Sequence, residues 1–218
     1  MKASPTSPPK PVRIAVTGGP GGGKTTAADL FRREIGPRVA LVPEAATIIF
    51  TSAFPRSHIP EEVKIIQRAV FQMQRDMEDL YALQHPGRIL LCDRGTVDGA
   101  AYWPGKNPRE FFTAQGTSLK RELARYDAVL FFESAAMGGW NIKGGNPIRD
   151  ESPPEAVALD GRLRALWSQH PGFILVPHNP SFFKKISAGL AALERIVTQL
   201  ESQRASTHNS PLKRARKR

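Results

Sequence analysis

The sequence predicts an α/β fold, a five-stranded parallel sheet with helices packed on both of its faces. Two observations lead there. Five short apolar runs each stop abruptly at a Gly, a Pro or an acid, and segments of helical composition lie between them. Parallel neighbours require crossover connections of about a dozen residues or more, which those segments supply.

Residues 1–11 hold four prolines and no apolar period, and they are expected to be a disordered leader. Val12-Arg13-Ile14-Ala15-Val16-Thr17 is rich in β-formers and ends at glycines; Thr25 to Ile35 follows as a helix free of internal Gly and Pro. Val39 to Val42 is a second strand, stopped by Pro43, which has no ladder donor. Residues 61–84 form the longest helix, with Val63, Ile66, Val70, Met73, Met77 and Leu80 spaced 3, 4, 3, 4, 3 along one face. The third strand, Ile89 to Cys92, is apolar throughout, as a strand covered on both faces should be. Asn107-Pro108 opens a short helix that Gly116 interrupts, and Ala128 to Phe132 is the fourth strand. Residues 134–154 carry four glycines and three prolines around Trp140 and Arg149, the composition of a flap. Glu155 to Gln169 is a helix, Phe173 to Val176 the fifth strand, and Ser181 to Leu200 the closing helix, with Phe182, Ile186, Leu190, Leu193, Val197 and Leu200 on its stripe. One domain, 12–200, therefore stands between the leader and a basic, disordered tail, 201–218.

The chain has 218 residues, 40% hydrophobic and 23% charged, an ordinary globular composition. Its single cysteine, Cys92, excludes a disulfide scaffold, and no apolar run approaches the roughly 18 residues of a membrane span. The first residues lack the apolar core of a signal peptide, so a cytoplasmic location is expected. Of the net charge of +11, Lys213 to Arg218 supply five, leaving +6 on the rest. That short tail is either simply solvated or a weak contact for a polyanion, nucleic acid or anionic lipid.

In an open parallel sheet, ligands gather beyond the carboxyl ends of the strands. The polar residues standing there are Gly18 to Thr25, Glu44, Asp93-Arg94, Glu133 and His178-Asn179. Gly18-Gly19-Pro20-Gly21-Gly22-Gly23-Lys24-Thr25 satisfies G-x-x-x-x-G-K-[ST] between a strand and a helix. Glycines let backbone N–H groups turn around phosphate oxygens, and the helix dipole favours the same anion. Lys24 is placed to reach the β- and γ-phosphates of ATP or GTP, Thr25 to ligate Mg²⁺, and Thr26 to meet the α-phosphate. Motif and sheet together define a P-loop NTPase, a three-layer αβα sandwich. The motif leaves ATP against GTP, and hydrolysis against transfer, open.

Asp93 follows an apolar strand, as a magnesium-holding carboxylate should, although Asp-x-Gly is also ordinary turn chemistry. Arg94 could neutralise phosphate charge or pair with Asp98 or Glu44. Glu44 could take a proton from an acceptor hydroxyl, or face a helix dipole as a first-turn acid. Asp98 and Tyr102 are candidates for an acceptor pocket, and Gln67 and Arg68 could touch the acceptor from the long helix. A kinase closes a cation over the transferred phosphate; Arg149 is the first choice in the flap and Lys143 the second. The five histidines are scattered without ligand spacing, and no nucleophile elbow is present.

With Val42-Pro43-Glu44-Ala45-Ala46, Cys92-Asp93-Arg94-Gly95 and Asp98-Gly99-Ala100-Ala101-Tyr102 placed beside the phosphate loop, the chain resembles the AAA_28 family of P-loop domains, from about Arg13 to Leu200. That family includes the ribosylnicotinamide kinase domain of the bacterial NAD regulator and the nucleotide-binding domain of the TRPL translocation-defect protein. The resemblance implies a nucleoside- or nucleotide-kinase-like fold, ATP or GTP with Mg²⁺, and a flap arginine matched by Asn146-Pro147-Ile148-Arg149. It likewise relates Asp93-Arg94 to the acidic-Arg pair of deoxynucleoside kinases and Glu44 to their acid after the second strand. The regulator's DNA-binding and adenylyltransferase modules and a CYTH-type domain after Leu200 have no counterpart in this sequence. Control by such modules, and nicotinamide riboside as acceptor, are therefore not implied.

The expected activity is Mg-dependent transfer of the γ-phosphoryl group to a small hydroxyl-bearing, nucleoside-like acceptor. Lys24 and Arg149 would stabilise transferred charge, Thr25 and Asp93 would hold magnesium, and Glu44 or Asp93 would handle the proton, with Arg94 beside them a further catalytic candidate. The alternative is a nucleotide-dependent regulatory switch with little or no transfer.

Overall fold

The computed structural model describes residues 10–105, 107–139 and 152–208. The flap candidates Lys143 and Arg149, the matching stretch Asn146 to Arg149, and Lys213 to Arg218 lie outside the described residues.

Five parallel strands, β1 (Val12–Gly18), β2 (Val39–Val42), β3 (Ile89–Asp93), β4 (Ala128–Phe132) and β5 (Phe173–Val176), form one sheet in the order β2-β3-β1-β4-β5. Alternate side chains of each strand serve opposite layers. Ile14, Val16, Leu91 and Leu130 pack under α1 (Lys24–Ile35) and α8 (Phe182–His208). Ala15, Leu90, Val129 and Phe131 pack beneath α3 (Pro60–Gln84), α5 (Arg109–Ala114) and α7 (Pro153–Trp167), which contribute Phe71, Phe111 and Trp167 to the layer. With β1 central and flanked by β3 and β4, the loop after β1 opens where the strand order reverses, the usual place for a ligand.

Several elements depart from the expected boundaries. The stretch Ala45–Thr51 is a helix, α2, although Thr47, Ile48, Ile49 and Thr51 are β-branched; packing against α3 overrides their propensity. Two further short α-helices, α4 (Gly99–Tyr102) and α6 (Leu119–Leu123), lie among the described residues. Helix α7 starts at Pro153, inside the expected flap, because Ser152 and Glu155 form a capping box ahead of two prolines. Helix α8 runs on to His208 rather than stopping at Leu200. Its added turns contain no Gly or Pro, and they are tied down by Glu201 to Arg38 and by Arg204 to the Gly87 carbonyl.

The buried face of α3 also differs from the expected stripe. It runs through Ile66, Gln67, Phe71, Gln74 and Glu78, while Leu80 is half exposed. Polar residues are tolerated there because they are partnered. Fully buried Glu78 accepts from Tyr126 Oη at 2.7 Å and Gln74 Nε2 at 3.1 Å on one oxygen, and from Arg125 Nη2 at 2.9 Å on the other. Arg13 lies 3.5 Å from that second oxygen. Glu78→Ala leaves this charge and hydroxyl cluster short of its central acceptor. It is expected to cost about 3 kcal/mol, read as a lowered urea midpoint with unchanged slope.

Candidate active site

The glycines of the loop after β1 are required by close approach. Gly18 has φ +136°, and a Cβ there would lie 1.9 Å from the Phe132 carbonyl oxygen of β4. Gly23 caps α1 with φ +81°. Lys24 is 2% exposed, and its Nζ donates to the Gly19 carbonyl at 2.6 Å, folding the lysine back over the loop it follows. Thr25 and Thr26 stand exposed on the first turn of α1.

Asp93 closes β3 next to this loop. It is 3% exposed and takes a hydrogen bond from the Thr25 side chain, yet its Oδ1 has no partner. Burial raises its pKa to about 6, and Glu44 pushes the same way, against Lys24, Arg94 and the Thr25 hydrogen bond. A buried carboxylate oxygen without a partner, beside a threonine hydroxyl, is the oxygen donor set that Mg²⁺ takes. The residues therefore fit that ion, and Thr25 and Asp93 are the ones that could hold it.

The raised value has a sign that can be checked in metal-free protein. With Asp93 titrating near 6 when folded and near 3.8 when unfolded, the folded state binds more protons between those values. Its contribution to stability is present below about pH 4 and is lost as pH rises to about 6. Urea midpoints in chelator should fall over that window, and Asp93→Asn should flatten the fall.

Arg94 is held in the left-handed region at φ +73°, a conformation that costs a non-glycine residue of order 1 kcal/mol or more. Its backbone N–H donates to Val16 O at 3.0 Å. The buried guanidinium donates through Nε to Glu44 Oε1 at 3.1 Å, and through Nη1 to Gly18 O at 2.9 Å and to Asp98 Oδ1 at 3.3 Å. Burial opposes its charge, but Tyr102, Glu44, Asp98 and Asp93 more than offset this and hold the pKa above its ordinary value. Of the two readings open in the sequence, the structure shows the ion pairs: Arg94 joins the end of β3 to the end of β2.

Glu44 directly precedes α2. Its Oε2 accepts from Thr47 Oγ1 at 2.6 Å, so Arg94 and Thr47 fix the carboxylate from two sides. Asp98 has both oxygens engaged, by Thr17 Oγ1 at 2.6 Å and by the Gly95 N–H at 2.7 Å, and acts as a brace under the site. Glu44 and Arg94 border a cavity of about 890 Å³ between α2, α3, α4 and α7, with Phe50, Ile66, Phe71 and Trp103 among its apolar walls. Gln67 and Tyr102 line it; Arg68, exposed on α3, faces a separate shallow groove instead.

A scan against family models matches residues 13–179 to AAA_28, an AAA domain. The chain belongs to this family. The AAA_28 domain also has the fold of P-loop nucleotide kinases. It resembles thymidylate kinase from Candida albicans at 14% identity and a TM-score of 0.59, over 88% of this chain and 93% of that one. It resembles deoxyadenosine kinase from M. mycoides with bound dATP at 13% and 0.55, over 84% and 99%. With the NadR protein in complex with NAD and AMP-PNP the values are 16% and 0.60, over 87% of this chain and 50% of that one, so the AAA_28 chain spans about half of NadR. No curated protein matches it in sequence.

Two residues beside the phosphate loop of the AAA_28 domain escaped the sequence reading, Ser134 and Asp160. Both are buried, and Asp160 accepts from the Gly19 N–H at 3.0 Å. The signal was its position: with Ala156, Leu159, Leu163 and Trp167 it occupies the buried face of α7, where an unpartnered acid would be costly.

Proposed function

We propose that this AAA_28 domain is a Mg-dependent phosphotransferase that moves the γ-phosphoryl group of ATP or GTP to a hydroxyl of a small, nucleoside-sized acceptor. The observation that carries this reading is the placement of Glu44. A carboxylate locked by Arg94 and Thr47 stands where the phosphate-loop side of the site meets the 890 Å³ cavity. Beside an incoming phosphate such a carboxylate would repel; beside a hydroxyl it accepts the proton.

In the transfer step the acceptor oxygen bonds to the γ-phosphorus, the bond from that phosphorus to the β-bridging oxygen breaks, and ADP or GDP leaves. The hydroxyl proton passes to Glu44. Lys24 and the loop amides stabilise the charge that spreads over the phosphoryl oxygens, and Arg149 is assigned the same task from the flap. Thr25 and Asp93 would hold magnesium, which when bound would supply positive charge toward the phosphate oxygens. Arg94 serves by orienting Glu44. The kinase fold shared with thymidylate kinase, deoxyadenosine kinase and NadR supports the reaction class. A cytoplasmic setting is part of the proposal, supported by the buried, unpaired thiol of Cys92. Among the described residues no helix is long and apolar enough to cross a membrane. A polyanion contact by Lys213 to Arg218 is not included.

The test is release of ADP or GDP across a panel of nucleosides and hydroxyl-bearing vitamins, with Lys24→Ala as blank. Stimulation by one acceptor class, with the phosphorylated product identified by mass, is expected. Nucleotide binding without stimulation by any of them would favour a nucleotide-dependent switch instead.

A further inference from the structure

The loop after β1 is also pinned from α7 and from the end of β4. Asp160, 1% exposed on α7, uses a single oxygen, Oδ1, to accept from the Gly19 N–H at 3.0 Å and from the Ser134 N–H at 2.8 Å. Ser134, fully buried just past β4, donates its own hydroxyl to the Pro20 carbonyl. Lys24 Nζ takes the Gly19 carbonyl at 2.6 Å. The Gly19 backbone is thus held at both its N–H and its C=O. A Cβ on Gly19 would lie 2.2 Å from Asp160 Oδ1, so the missing side chain there makes room for the carboxylate.

A buried anion beside a site for polyphosphate is electrostatically unfavourable. Burial raises the Asp160 pKa, which the two N–H bonds and Lys24 oppose. What the acid supplies is one acceptor for two backbone donors that would otherwise be buried and unsatisfied. The Gly19 N–H is consequently spoken for, and Pro20 has none. This limb of the loop is scaffold, and the Gly22 N–H is turned onto the Gly19 carbonyl at 3.3 Å, which leaves the amides of Gly21 and of Gly23 to Thr26 to receive phosphate oxygens.

We propose that Asp160 is a positioning residue for the nucleotide: by fixing Gly19-Pro20 to the end of β4, it sets the direction in which the Gly21 to Thr26 amides point. The inference rests on the nucleotide-binding reading above. It predicts a hierarchy of protection within one loop, in which the Gly19 and Gly22 amides are internally bonded and the others wait for the ligand.

The experiment is amide hydrogen exchange of the full chain with and without MgATP or MgGTP, together with calorimetric affinities for variants. In the wild type, the Gly19, Gly22 and Ser134 amides should be protected without nucleotide, and Gly21 and Gly23 to Thr26 should gain protection only when it is added. Asp160→Ala should weaken triphosphate binding by the folded protein at least tenfold. Asp160→Asn, whose carboxamide oxygen still accepts both N–H groups, should stay within about threefold. In the cycle with Gly19→Ala, which evicts the acid, the losses should not add. A Gly19 amide that gains protection only with nucleotide, or triphosphate affinity unchanged in Asp160→Ala, overturns the inference while leaving nucleotide binding intact. A wild type that takes up neither triphosphate overturns both.

Discussion

Lys24→Ala is expected to lower acceptor-dependent turnover by about 10²- to 10³-fold and to weaken triphosphate binding more than tenfold. The lysine is the first residue of α1 and is 2% exposed, so its ammonium sits in a partly dehydrated setting where a charge acts strongly on a neighbouring anion. Its bond to the Gly19 carbonyl keeps it over the loop and limits the reorganisation needed when phosphate oxygens arrive. Calorimetry and steady-state nucleotide release separate the two losses. Lys24→Arg should not rescue, because the planar fork needs space that the close loop backbone does not leave.

Glu44→Gln is the second large effect. Glutamine keeps its one oxygen for Arg94 Nε and can donate from its Nε2 to Thr47 Oγ1, reversing that second bond, so the geometry at the end of β2 should survive while the capacity to take a proton is lost. Turnover should fall by about 10²- to 10⁴-fold with the KM for the triphosphate within about threefold. Glu44→Ala should behave differently: besides the same loss of turnover it deprives the buried Arg94 of a partner and should lower the urea midpoint. A drop in kcat shared by both variants, with destabilisation confined to alanine, assigns the chemistry to the carboxylate and the stability to the ion pair.

Much of this was readable before any coordinates because it is local. Strand ends were marked by Gly18, Pro43, Glu133 and Pro177, and the phosphate loop combined a glycine run with its strand and helix in order. The meeting of Glu44, Asp93 and Arg94 followed from one rule, that the ends of parallel strands share an edge. What escaped notice depended on partners distant in sequence. Gln74 and Glu78 are buried because Tyr126 and Arg125 come to them from the neighbourhood of β4. Asp160 is buried because a backbone N–H lies 141 residues earlier. The helix Ala45–Thr51 forms against its own propensity because α3 covers it. Arg94 adopts a positive φ while making four bonds; its pairing with Glu44 and Asp98 was readable, but its bonds to the Val16 and Gly18 carbonyls of β1 have no linear signal.

Calorimetric titration of the full chain with ATP and with GTP in magnesium tests the central claim most directly. One triphosphate should bind per chain, and the heat should disappear in Lys24→Ala. Folded wild-type protein that binds neither nucleotide, with magnesium present, would contradict the account.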